Sequence, residues 1–187
     1  MKSKPYKIIY FFTILLSYCK NSNIEENVKL NQIISPIVDN ERRFSTSLVY
    51  ITDSLKQLKV YVPTKDEIEQ RIPPPPPGKT TNIIHLLEFK KNYTKKDSLE
   101  LLKQAEYYLK TIKLDSKINK NLKVISSKLI DNRETHLSFS TPLYFSDDFV
   151  YIEVGFYDHG FSRGTGYLLK NEGNSWKIVD QRPLWIS

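Results

Sequence analysis

The chain has 187 residues, 12% of them aromatic, and a formal net charge of +7, which suffices for one domain with a real core and is too short for two sizeable ones. Lys2, Lys4 and Lys7 belong to a leader-like amino terminus, so from Cys19 onward the balance is only +4. That is ordinary surface chemistry rather than the basic, aromatic-interleaved footprint of a nucleic-acid binder, and one cysteine excludes a disulfide framework within the chain.

Residues 1–18 divide into a basic start, "MKSKPYK", an apolar run from Ile8 to Leu16, and "SY" before Cys19. The apolar run is too short to cross a bilayer as a helix, which takes roughly 20 residues, and reads as a targeting signal. Leu16, three residues before Cys19, resembles the lipobox of bacterial lipoproteins, although Tyr18 departs from the small residue usual before that cysteine. The resemblance implies that Cys19 is lipidated and ties the chain to the inner or outer membrane of the cell envelope, facing the periplasm or the surface. The alternative is an ordinary secretory peptide or signal anchor with an incidental cysteine.

Residues 19–45 begin polar and rich in Asn, and Pro36 breaks the apolar run Ile33, Ile34, Ile37, Val38; this reads as a tether ahead of a single domain over 46–187. Two β-branched and aromatic runs, Leu48 to Thr52 and Leu58 to Val62, predict a hairpin. Pro73 to Pro77 predict a polyproline II rod that serves as a stiff connector or a surface arm, the alternative being a docking ligand for a proline-recognising module. Gly78-Lys79-Thr80 lacks the first glycine of a phosphate-binding loop, and prolines offer no N–H groups to phosphate, so no nucleotide site is expected.

The stripe Leu101, Leu102, Ala105, Tyr108, Leu109, Ile112 predicts an amphipathic helix from about residue 98 to 113, capped by Asp97 with Glu100 three residues on. Beyond it, "KVISSKLI", "THLSFS" and "DFVYIEVGFY" read as strands, the last with Val150, Ile152, Val154 and Phe156 on one face. Two further strands meet at the turn Glu172-Gly173-Asn174. The expected fold class is α+β, an antiparallel β-meander with one main amphipathic helix packed on it.

The carboxy-terminal half carries a family resemblance. Phe139-Ser140-Thr141-Pro142, a turn at Gly164-Thr165-Gly166, Trp176-Lys177 and the terminal Trp185-Ile186-Ser187 resemble the tail of uncharacterised small lipoproteins of Bacteroidetes, of flavobacterial type. "KKDSLELLKQ" is similar to a helix upstream of that tail. The family's flanking cysteines after Tyr157 are missing here, and Thr141 replaces a basic residue. The resemblance implies an envelope location and a sheet-rich domain, and carries no activity.

Motif chemistry is sparse. His85, His136 and His159 are dispersed without metal-ligand spacing, and no cofactor is expected. Asp147-Asp148 and Asp158 flank a ten-residue strand, about 30 Å apart at about 3.3 Å per residue, too far to share acid–base work. Ser162 in "GFSRG" matches a nucleophile-elbow pattern literally but lacks the strand-to-helix setting and a downstream histidine. The function expected is therefore a non-enzymatic envelope binding module, the alternative being an envelope enzyme with a site assembled from scattered residues. Phe149, Tyr151, Tyr157, Tyr167 and Trp185 are the candidate surface for an envelope protein or glycan.

Overall fold

The computed structural model describes residues 25–43, 49–72, 80–107, 112–115, 123–130, 134–146, 148–173 and 175–187. Cys19, the polyproline run and the Tyr108–Leu109 end of the expected helix lie outside them.

The stretch expected to be a tether is a helix, α1, over residues 25–42. Leu30, Ile33, Ile34, Ile37 and Val38 recur at helical spacing, and all five are buried. Pro36 lies inside the helix and removes one backbone donor, a cost of about 3 kcal/mol. Each apolar side chain taken out of water contributes about 1.5–3 kcal/mol, so five of them outweigh the proline. Ser35 donates its hydroxyl to the Asn31 carbonyl at 2.7 Å in the same turn.

The strands are β1 Tyr50–Thr52, β2 Lys59–Tyr61, β3 Thr80–Asn82, β4 Val124–Ile125, β5 His136–Phe139, β6 Leu143–Ser146, β7 Phe149–Asp158, β8 Phe161–Asn171 and β9 Trp176–Ile186. The helices after α1 are α2 Lys65–Glu69, α3 Ile83–Lys90 and α4 Lys95–Tyr107. One seven-stranded sheet runs β4-β1-β5-β7-β8-β9, with β6 also paired to β7. β7, β8 and β9 form an antiparallel meander, whereas β1 lies parallel to both β4 and β5.

The expected hairpin between β1 and β2 does not form. β1 enters the main sheet, and β2 pairs in parallel with β3 in a separate two-stranded sheet. Leu55 packs into one hydrophobic cluster and Leu58 into the other, so the intervening segment carries the chain between the two sides of the sheet. No Asn-Gly or Asp-Gly step is present to turn it back on itself.

The sheet is covered on both faces, which corrects the expectation of a single main helix while keeping the mixed helix–strand class. On one face α1 buries its stripe on Leu137, Phe139, Ile152 and Val154. On the other, α3 and α4 with the β2–β3 pair cover Leu143, Phe145, Tyr151 and Leu168. A strand flanked by helices on both faces carries apolar side chains on both, and β7 does so.

α4 starts three residues earlier than the Asp97 cap implies. Thr94 is the cap: its hydroxyl accepts from the Asp97 N–H at 3.3 Å, and Asp97 Oδ2 accepts the Thr94 N–H at 2.7 Å. Asp97 is thus the reciprocal member of the capping box. Its carboxylate also meets Lys90 Nζ of α3 at 2.6 Å, with Asp97 buried and the Lys90 side chain only 9% exposed. Of the expected stripe, Leu101 is buried and Leu102 faces solvent at 38% exposure, which sets the helix face one residue away from the Leu102 side.

The β7–β8 connection is a two-residue turn, with Asp158 paired to Phe161 and both His159 and Gly160 at positive φ. Gly164-Thr165-Gly166, expected as a turn, lies within β8. Those glycines serve packing instead.

Candidate functional site

On the face opposite α1, β7 presents Tyr151, Glu153, Gly155 and Tyr157 in succession. The register sets Gly166 opposite Glu153 and Gly164 opposite Gly155, and β9 brings Arg182 beside Gly166 and Trp185 beside Gly164. Three glycines therefore surround one carboxylate, and aromatic rings fold down onto them. A β-carbon at Gly166 would lie 2.6 Å from the Tyr151 hydroxyl, one at Gly155 would lie 2.9 Å from the Tyr157 ring, and one at Gly164 would overlap the Trp185 indole. Glycine in a strand weakens it and marks close approach of another group; here the groups are the rings.

The result is a groove. A cavity of about 440 Å³ lies between α3 and the sheet, lined by Thr81, Asn82, His85, Tyr151, Glu153 and Arg182 among others. A cleft of about 40 Å³ shares Glu153 and Leu184 with it and continues over Gly155 between Tyr157 and Trp185. A further cavity of about 350 Å³ shares Lys56, Ser138 and Tyr157 with that cleft and extends to His136 and Ser127. From Tyr151 to Tyr157 this path follows β7 for about 20 Å at about 3.3 Å per residue.

Glu153 stands where the first cavity meets the cleft. Burial pushes its carboxyl up to about 7, against the Tyr151 hydroxyl, which donates to Oε1 at 3.0 Å and favours the charged form. Burial first, and then the neighbouring Glu153 charge, drives the Tyr151 phenol well above its usual range, so it remains a donor. Phe89 of α3 packs edge-on against Tyr151, ring centres 5.8 Å apart, and Arg182 lies 4.3 Å from the centre of the Phe89 ring. At the other end His136 stacks on Tyr157 at 4.7 Å, Lys56 Nζ donates to the Tyr157 hydroxyl at 2.9 Å, and Trp185 tilts toward Tyr157 at 6.3 Å. His136 Nδ1 donates to the Glu134 carbonyl at 2.8 Å, which leaves Nε2 as the acceptor of the neutral ring.

The five aromatic residues expected to form one binding surface divide among three environments. Tyr167 lies on the α1 face, buried, with its hydroxyl bonded to Glu41 at the end of α1. Tyr151 is buried beneath α3, and Phe149 packs at the edge of the same cluster. Tyr157 and Trp185 remain half-buried in the groove, together. The split follows from α3 and α1, which cover faces that a one-helix fold leaves open. His159 pairs with Asp158 at 2.6 Å in the exposed β7–β8 turn, away from the groove. Ser162 sits within antiparallel β8, opposite Tyr157, and not at a strand-to-helix elbow.

Glu153, Arg182 and His85 are groove residues that periodicity does not single out. Their signal is the set of glycines, Gly155, Gly164 and Gly166, which fall on one face only once the strands are paired in register. Among the described residues, no group of three or more His, Cys, Asp or Glu side chains is placed to hold a metal, and no helix is long and apolar enough to cross a membrane. Comparison with protein-family models, curated proteins and solved structures finds no match to this chain.

Proposed function

We propose that the chain is a binding module of the cell envelope, attached by a lipid on Cys19, and that the groove between α3 and the β7–β9 meander holds its ligand. One observation carries the reading: a half-buried carboxyl, the phenol bonded to it and an exposed guanidinium converge in a concave, partly apolar site of ordinary ligand-pocket size. Rings laid on glycines add contact area with few rotors to freeze. Among the described residues Glu153 is the only carboxylate lining the three neighbouring cavities, so the paired carboxylates of sugar or peptide-bond hydrolysis are not assembled there. This favours binding over the alternative of an envelope enzyme.

A thermal-shift screen over sugars, amino acids, nucleotides and fatty acids tests the reading. A ligand that binds only the native state raises the melting temperature. One class is expected to do so, with the rise reduced by Arg182→Ala and unchanged by Val28→Ala, an exposed site on α1 across the sheet from the groove. A rise indifferent to Arg182 and Trp185, or none from any class, overturns it. The anchor is tested separately: Cys19→Ser should release the chain from the membrane fraction or leave it unprocessed, and an unmodified Cys19 peptide by mass spectrometry overturns the lipid attachment.

A further inference from the structure

We infer that the ligand of the groove is an acidic oligosaccharide, a short chain of pyranose rings bearing carboxylates. This rests on the binding reading above and specifies its ligand. Three features lead to it.

The first is shape. The three neighbouring spaces share lining residues and follow β7 for about 20 Å, long for a single small molecule. Its narrow middle is floored by Gly155 and flanked by Tyr157 and Trp185. The Trp185 indole, laid on Gly164, turns its outer apolar face to the groove, where a sugar ring stacks, and the Tyr157 hydroxyl, which accepts from Lys56, keeps its own proton for a sugar oxygen.

The second is hydrogen bonding. The backbone of β7 and β8 under the groove is committed to the sheet ladder on both sides. A peptide laid across this face therefore gains no added-strand hydrogen bonds, the usual source of affinity for an extended peptide. What the face does offer is side-chain hydroxyls and an amide, at Thr80, Asn82, Ser138 and Tyr157. That inventory suits a ligand rich in hydroxyl groups.

The third is charge. Arg182 at one end and Lys56 at the other have no carboxylate partner among the described residues; Arg182 rests on Phe89 and Lys56 on the Tyr157 hydroxyl. Among the described residues the only acid lining the groove between them is Glu153, whose carboxyl burial raises to about 7, so that its negative charge is weakened there. A groove with unpaired cations at both ends matches a ligand with repeated negative charge, and a planar guanidinium matches a carboxylate in bidentate fashion.

The test is calorimetric titration of the full chain, kept in a detergent without sugar groups, with trigalacturonate, with the matching neutral trimer of galactose, and with a hexa-aspartate peptide. Trigalacturonate should bind at least about tenfold more tightly than the neutral trimer, the equivalent of about 1.4 kcal/mol. Arg182→Gln should remove that difference and leave the neutral trimer unaffected, and Trp185→Ala should weaken both. Both side chains are partly or fully exposed, so these variants should fold, which an unchanged melting temperature verifies. Equal binding of the neutral trimer overturns the acidic requirement, and equal binding of hexa-aspartate shows a polyanion site without sugar recognition. If no saccharide binds while another class raises the melting temperature through Arg182, the ligand assignment fails and the binding reading stands.

Discussion

The indole of Trp185 lies across Gly164, its partner in the β8–β9 ladder, in space that any side chain at 164 would occupy. Gly164→Val should therefore lift the indole off the sheet. Because Trp185 is only half-buried, the loss of stability should be modest and the change of environment large. The check is fluorescence in a Trp176→Phe background, since Trp176 is buried and emits independently. A red-shifted emission with unchanged circular dichroism is expected; an unshifted spectrum contradicts the packing of this ring on glycine.

Asp97 joins two helices as well as capping one. Removing one member of a buried ion pair costs about 3–5 kcal/mol, against about 1 for a cap alone. Asp97→Ala should fall in the higher range by urea denaturation, and Asp97→Leu combined with Lys90→Leu should recover part of it. Burial tends to raise the Asp97 carboxyl, but Lys90 and the Thr94 backbone and hydroxyl together hold it below its ordinary value. The folded form being the lower, this contribution is complete above about pH 4 and is lost as acid takes the pH down through the folded value.

Side chains that differ in burial should differ in cost. Leu101→Ala and Ile34→Ala, both at fully buried sites, should each destabilise by about 2–5 kcal/mol, and Leu102→Ala should change little. If Ile34→Ala melts with the parent, α1 does not pack on the sheet.

Glu153 gives the opposite pH signature to Asp97. Its folded value, raised to about 7 from 4.5, means that its own contribution to stability is greatest below about pH 4.5, falls as pH rises toward 7 and levels above it. The full loss is about 3 kcal/mol. Glu153→Gln keeps an acceptor for Tyr151 and should flatten this slope, most visibly as a higher melting temperature at pH 8; a variant with the parent's pH profile contradicts the burial of this carboxyl.

Much of the sheet is legible in the sequence because local rules govern it. Val150, Ile152, Val154 and Phe156 alternate as a buried strand must, and Gly173, at positive φ, marks the β8–β9 turn. α1 is obscured by Pro36, a local penalty that tertiary burial of five neighbours overrides. The β1–β2 pairing is misread because partner choice is nonlocal, and β1 finds β4 and β5 from more than 70 residues away. The groove escapes for the same reason. Gly155 and Gly164 become neighbours only through register, and Glu153 looks like a solvent-facing residue until α3 is placed above it.

The chain's six glycines supply the most direct test of the groove as a binding site. Gly155, Gly164 and Gly166 lie in or beside its floor, whereas Gly160 and Gly173 sit in the turns at the two ends of β8. Amide chemical shifts followed during titration with the strongest ligand class should move at Gly155, Gly164 and Gly166 and stay in place at Gly160 and Gly173. Movement confined to the two turns, with the three floor glycines unchanged at saturation, contradicts binding in the groove.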